Sequence, residues 1–255
     1  MNKKKIAIFV EGQTELIFVS DFLIKWFKYD PNIIGLNCLA SHGTRLFPGG
    51  FSSFGDENSE LYYIIQNVGN DESVISKIQE EATHLVAKGY ELILGLRDMY
   101  SKKYVQKIKT IPPQIDSSLN KLYIDSVEQI LSVHPQASII SIHHAIMEVE
   151  AWFIGMPKSL LGLDSRFTPE FIHHHSTKID LNSDPEKTIL HPAVAIAELG
   201  KVAQAHIYDK HDYEIQNMCN QLSREDYVAL MSSGKCMAFT SFAKKLIVAN
   251  TNPPF

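Results

Sequence analysis

Apolar residues run without a break from Ile6 to Val10 and stop at Glu11, which predicts a short strand covered on both faces. "TELIFVSDFLIKWF" follows with helix length and neither Pro nor Gly, so this first strand leads straight into a helix. The same change of period recurs along the chain. "NIIGLNCLAS" (32–41), "LYYIIQNVGN" (61–70), "YELILGLRD" (90–98) and "ASIISIHHA" (137–145) predict strands. "DESVISKIQEEATHLVAKG" (71–89), opened by Asp and closed by Gly, predicts a helix. So does "DSSLNKLYIDSVEQILSVH", after the break at Pro112 and Pro113, and "IMEVEAWFIG" (146–155) reads as a helix start. Residues 42–60, rich in Gly, Ser and Phe, read as a long loop.

Beyond Pro157 the strand patterns cease. "AVAIAELGKVAQAH", "YEIQNMCNQL", "REDYVALMSS" and "FTSFAKKLIVAN" all carry helical spacing. The expected architecture is an α/β domain over 1–155, with a mainly parallel sheet flanked by helices, and a helical C-terminal extension over 156–255 packed on it.

With 45% hydrophobic and 21% charged residues among 255, the chain has an ordinary globular composition. A formal charge of −5 argues against a protein that coats nucleic acid through a basic face. It leaves room for an enzyme that meets a polyanion through bound cations. Cys38, Cys219 and Cys236 are widely spaced and form no C-x-x-C pair, which suits a reducing compartment. "MNKKKIAIF" lacks the apolar length of a signal peptide or membrane span, so the cytoplasm, and no membrane, is the expectation.

In a parallel sheet, ligand sites form at the carboxyl ends of the strands. Glu11 and Asp98 each end a strand, and "SIISI" runs into "HHAIMEVEAWF", which brings Glu148 and Glu150 toward the same edge. Glu15, in the first turn of the first helix, has the spacing to point back there, and Gly12 would let the backbone turn tightly between them. Acids converging from separate segments suit Mg²⁺ or Mn²⁺. Plainer roles exist for some of them. An acid such as Glu15 is stabilising at a helix N-terminus for dipole reasons alone, and Asp98 suits a strand-end cap. Glu11 is harder to explain away, because a charge beside a buried strand is costly unless paired or bound to a metal. Glu148 and Glu150, two apart on a helix, would not share a face; Glu150, beside Ala151 and Trp152, is the expected ligand of the two.

"VEGQTE" before an apolar helix, with a later strand ending in Asp, resembles the Toprim domain of topoisomerases, bacterial primases and overcoming-lysogenization-defect (OLD) type nucleases, the last most closely. "LILGLRD", "MEVEAWFIG", "DPEKTI" and "SFAKKL" resemble a family of small stand-alone bacterial Toprim-like proteins of uncharacterised function. The resemblance implies a Rossmann-like fold and divalent-metal phosphodiester chemistry. It implies Glu11 as a metal ligand or general acid/base, Glu15 as the second acid of its motif, Asp98 as the first acid of a D-x-D, and Glu150 as an additional ligand. At the second D-x-D position this chain has Tyr100, a phenol that stays protonated at neutral pH and is no ordinary Mg²⁺ ligand.

Supporting roles fall to Tyr100, to Lys102 beside a phosphate and to His143 beside the ligands, although surface lysines and packed histidines are the commoner outcomes. "SKKYVQKIK", with Tyr104 interleaved, is the main basic patch and a modest nucleic-acid cue. The run His173, His174, His175 lacks the i, i+4 spacing of a zinc pair and reads as a polar loop. No G-x-G-x-x-G or Walker A sequence is present, so no nucleotide cofactor is expected.

The leading expectation is a metal-dependent nuclease acting on DNA or RNA, in bacterial phage defence as the resemblance suggests, with a separately encoded ATPase as a conceivable partner. The alternative is a regulatory or protein-interaction module whose site has decayed at Tyr100. A small-molecule phosphohydrolase is a weaker third reading. Homo-oligomerisation stays open.

Overall fold

The computed structural model describes residues 3–42, 45–48, 53–111 and 113–247. Its strands are β1 (Lys4–Val10), β2 (Ile34–His42), β3 (Arg45–Pro48), β4 (Leu61–Asn67), β5 (Tyr90–Asp98) and β6 (Ile140–Ala145). The helices of the first half are α1 (Gln13–Trp26), α2 (Asp71–Ala87), α3 (Lys102–Lys107), α4 (Ser117–Ser132) and α5 (Glu150–Gly155). Those of the second half are α6 (Pro169–His175), α7 (Pro185–Thr188), α8 (Pro192–Val202), α9 (Asp212–Asn220), α10 (Arg224–Ser232) and α11 (Met237–Ile247).

The chain divides into two compact units that interleave in sequence. The first comprises Met1–Arg97, Leu122–His144 and Phe242–Phe255; the second comprises Asp98–Lys121 and Ala145–Ser241. The first is built on a sheet of order β3-β2-β4-β1-β5-β6. β1 pairs in parallel with β4 and β5, and β2 in parallel with β4. This is the α/β arrangement with a mainly parallel sheet that the alternating pattern predicted, here with five parallel strands, and it is consistent with the Rossmann-like fold that the resemblance implied. One prediction needs correcting: the loop expected over 42–60 contains β3, which pairs antiparallel with β2 at the sheet edge. Residues 43–44 and 49–52 of that stretch, and Pro112 of the proline break, lie outside the described residues.

β1 is central because its whole apolar run is buried. Ala7 and Phe9 pack with Val74, Ile78, Ala82 and Leu85 of α2 and with Tyr90 and Ile93 of β5. Ile6, Ile8 and Val10, of the opposite parity, face the other side of the sheet and are equally buried. α1 packs against β1, β2 and β4. Asn70 caps α2 by accepting the Ser73 N–H at 2.9 Å, so the Asp71 expected at the cap is the first helical residue.

Gly35 in β2 is required by space. A Cβ there would lie 2.0 Å from the carbonyl oxygen of Asp56, on a segment that Phe54 ties to Leu36 by two backbone hydrogen bonds of 2.6 and 2.9 Å. Among the described residues, no helix is long and apolar enough to cross a membrane.

Two histidines of β6 are packed groups. Burial first, then Arg97 and His143, push His144 down to about 3. Burial and Lys245 push His143, whose ring lies against Phe242, down to about 4. The supporting role expected of His143 is thus matched by a plainer one inside the first unit.

Unfolded histidine titrates near 6.5, so on acidification the unfolded chain binds protons that the folded chain refuses. Stability is full above that value and falls as pH drops toward the folded pKa values. The urea midpoint should therefore fall between about pH 7 and pH 4.5, and His144→Gln should flatten the fall. An unchanged pH profile in that variant would remove His144 as the cause. Gly35→Ala, measured at pH 7, should cost about 1–3 kcal/mol, the scale of overpacking.

Candidate metal centre

Asp98 is the last residue of β5, and Glu148 and Glu150 follow β6 closely. One carboxylate oxygen from each of the three lies within 4.8 Å of the others, and all three residues are buried. The backbone builds this locally. Met99 N–H donates to the Ala145 carbonyl at 3.0 Å and Tyr100 N–H to that of Met147 at 2.8 Å, extending the β5–β6 alignment past the strand ends. Met147 then adopts φ 67°, a left-handed conformation uncommon for a side-chain-bearing residue.

That turn overturns the expectation that only one of the two glutamates points inward. Helix α5 begins at Glu150 with Val149 as its cap, so Glu148 is not helical and the helical-face argument does not apply to it. Both carboxylates enter the cluster.

Each acid has a defined environment. Asp98 Oδ1 accepts the Val149 N–H at 3.1 Å. Glu148 Oε2 accepts the Ala193 N–H at 3.0 Å, at the N-terminus of α8, where the helix dipole favours an anion. Glu150 Oε1 accepts the Tyr208 hydroxyl at 2.8 Å. The Lys210 ammonium lies 3.1 Å from Glu148 Oε1 and 3.0 Å from Glu150 Oε1. Glu150 Oε2 is buried with no hydrogen-bond partner, in a residue of 0% exposure.

Burial alone would lower the Lys210 ammonium, but Glu150, Glu148 and Asp98 outweigh it and hold the group above its usual range. Burial and the Glu150 charge raise Tyr208 well above the ordinary phenol range. Burial and Glu148 likewise raise Tyr100, whose ring meets His191 edge-on at 4.4 Å between centroids. Tyr100 is a neutral phenol beside an acid, as its chemistry predicted.

The donor set fits a hard divalent cation. It is all carboxylate oxygen, and three carboxylates against one ammonium leave a formal charge of −2. Neighbouring oxygens on an octahedral Mg²⁺ lie about 3 Å apart, so the three carboxylates would draw together to share one ion.

Glu11 and Glu15 belong to the first unit. Glu11 follows β1 and is half-buried, while Glu15, in the first turn of α1, is buried. The tight turn expected of Gly12 is absent. Its backbone, at φ −147° and ψ −170°, is open to any residue, but an added Cβ would lie 3.0 Å from Glu15 Oε2. The Glu15 carboxylate thus folds back over Gly12.

Other candidates resolve into structural roles. Lys102 and Lys103 are exposed on α3, but Tyr104, the next residue, is fully buried, with its hydroxyl bonded to Asn120. It offers no face for stacking on a base, which removes the aromatic part of the nucleic-acid cue. The three consecutive histidines end α6 and are helical rather than a loop. His174 Nδ1 lies 2.7 Å from the Glu170 carbonyl, and the His175 ring packs on Phe171.

Tyr208 and Lys210 escaped the sequence reading. They sit in "HIYDKH" between α8 and α9, a polar stretch that looks like ordinary surface.

Trp152 of the "EAWF" segment serves another carboxylate. Its indole N–H donates to Glu186 Oε1 at 2.8 Å, and Glu186 also accepts the Ala238 and Phe239 N–H groups at 2.9 and 3.2 Å. No protein-family model, curated protein or solved structure matches the chain.

Glu186→Ala leaves those three donors without their acceptor. It should destabilise the protein by on the order of 3 kcal/mol in urea unfolding, without changing divalent-ion affinity. A loss of ion binding in a folded Glu186→Ala protein would contradict the separation of the two carboxylate sites.

Proposed function

We propose that this chain is a divalent-metal-dependent phosphodiesterase acting on DNA or RNA. The observation that carries this reading is the buried trio Asp98, Glu148 and Glu150. It retains a formal −2 after Lys210 is counted, and its Glu150 Oε2 has no partner. A buried carboxylate oxygen left without a partner is costly, and a bound cation relieves that cost. The resemblance of "VEGQTE", "LILGLRD" and "EVEAWF" to Toprim nucleases supports the same chemistry and extends it to Glu11 and Glu15.

On this reading Asp98, Glu148 and Glu150 hold Mg²⁺ or Mn²⁺, which when bound supplies Lewis acidity toward a phosphate oxygen and a more acidic water. The protein's own groups fix the ligands. Val149 N–H orients Asp98, the first turn of α8 orients Glu148, and Tyr208 orients Glu150. Tyr208 and Tyr100 remain protonated phenols, which suits donation of a hydrogen bond rather than nucleophilic attack.

A second reading is favoured by Lys210, which already pairs with two of the acids. The cluster would then be a structural ion-pair network in a regulatory or protein-interaction subunit.

Incubation of labelled DNA and RNA panels with Mg²⁺ or Mn²⁺, alongside calorimetric titration of each ion, separates the two. The phosphodiesterase reading expects metal-dependent cleavage that falls about 100-fold or more in Asp98→Asn and Glu150→Gln, the scale of losing one preorganised electrostatic group. It expects weaker ion binding in the same variants. A folded wild type that binds neither ion and leaves every substrate intact would establish the structural reading instead.

A further inference from the structure

We propose that Lys210 is a resident cation that limits the acid cluster to a single exchangeable divalent ion and competes with that ion for Glu150. The inference rests on the metal-binding reading above and concerns its capacity and affinity.

The ammonium bridges two carboxylates at 3.1 and 3.0 Å, as a shared cation would. It engages Glu150 through Oε1, the oxygen that also receives the Tyr208 hydroxyl, and leaves Oε2 buried and unpartnered. One oxygen of Glu150 is committed to groups of the protein and the other is left for something else. With Lys210 in place, charge balance calls for one dication; without it the trio carries −3 and attracts positive charge more strongly.

Lys210 is also held where it is. Its backbone sits at φ 58°, a left-handed conformation. The segment around it is fastened by Glu214, buried to 1% exposure. That carboxylate lies 2.6 Å from His206 Nε2 and accepts the His211 N–H at 2.7 Å and the Asp209 N–H at 3.2 and 3.3 Å. A strained residue fixed by a buried acid is not an idle surface lysine. Its side chain nonetheless remains 38% exposed, so solvent reaches the lysine. An ammonium neutralises charge but has no open coordination position for water, so it substitutes for a metal electrostatically and not chemically.

The test is calorimetric titration with Mn²⁺ alone, together with thermal unfolding with and without Mn²⁺, for wild type, Lys210→Met and Lys210→Arg. Wild type should bind one ion, and Lys210→Arg should keep that stoichiometry. Lys210→Met should bind Mn²⁺ about tenfold or more tightly, or take a second ion. It should also melt below wild type without metal and regain that loss when Mn²⁺ is added; a variant that folds only with Mn²⁺ present supports the proposal equally.

Equal affinity and stoichiometry in wild type and Lys210→Met would overturn the proposal while leaving the metal site standing. So would a Lys210→Met protein that Mn²⁺ fails to restore. No binding by either protein would overturn this proposal and the metal reading together. Binding by Lys210→Met alone would overturn the single-ion capacity proposed here, leaving Lys210 as the sole cation of the wild-type site, and would remove metal-dependent chemistry from the wild type.

Discussion

Mutual repulsion among three buried carboxylates is the constraint that the second unit is built around. Two such charges within 4.8 Å repel by about 3 kcal/mol or more even at an effective dielectric near 20. Asp98, Glu148 and Glu150 coexist because separate pieces of chain bring positive potential to them, Lys210 to two at once. The peptide N–H of Val149, the N-terminus of α8, the hydroxyl of Tyr208 and the ammonium of Lys210 are those pieces. Two residues that flank the acids or reach them, Met147 and Lys210, hold left-handed backbone conformations that most side chains avoid. The strain and the convergence of donors belong to one arrangement.

Glu186 shows what a purely structural carboxylate looks like in the same unit. Burial raises it above the ordinary range, and the N–H groups of Ala238, Trp152 and Phe239 oppose that rise. Those three contacts join α5, α7 and the start of α11 through one side chain, drawing "EAWF", "DPEKTI" and the segment before "SFAKKL" into one hydrogen-bonded knot. Both oxygens of Glu186 are satisfied. Glu150, two residues before Trp152, is more deeply buried and yet leaves an oxygen without a partner. Neighbouring residues of one short segment thus differ: Trp152 anchors the helix, and Glu150, on the phosphodiesterase reading, keeps an oxygen for a cation.

The elements were legible because hydrophobic period is local. β1 reads as a strand from Ile6 to Val10 because every residue of that run is buried, and α2 reads as a helix because Val74, Ile78, Ala82 and Leu85 repeat at helical spacing. The strand ends bearing Asp98 and Glu11 were legible for the same reason. What failed depended on backbone geometry that composition does not encode. The exclusion of Glu148 assumed a helix through residue 148, whereas the left-handed turn at Met147 delays it to Glu150. The tight turn expected at Gly12 is not formed, because its backbone is extended at φ −147° and ψ −170°, open to any residue. Lys210 was invisible because its partners lie some sixty residues away and its own neighbours are polar. A lysine in a loop carries no periodic signal, and only the fold reveals that its charge is spent on Glu148 and Glu150.

The charge balance also bears on how an acidic chain would meet a polyanion. The protein carries −5 overall, and the centre retains −2 with Lys210 in place. On the phosphodiesterase reading, a phosphate approaching that centre without a divalent ion would meet net negative charge at short range and be repelled. With the ion bound the local charge is neutral, and the cation offers the phosphate an oxygen-seeking partner. Ion and substrate binding are then coupled by electrostatics alone, with no conformational change required. The exposed lysines of α3 add little to this, since single surface charges are well solvated and screened. Selectivity for phosphate in such a site rests on the bound ion, and the ion's affinity rests on how completely Lys210 has already neutralised the acids that must hold it.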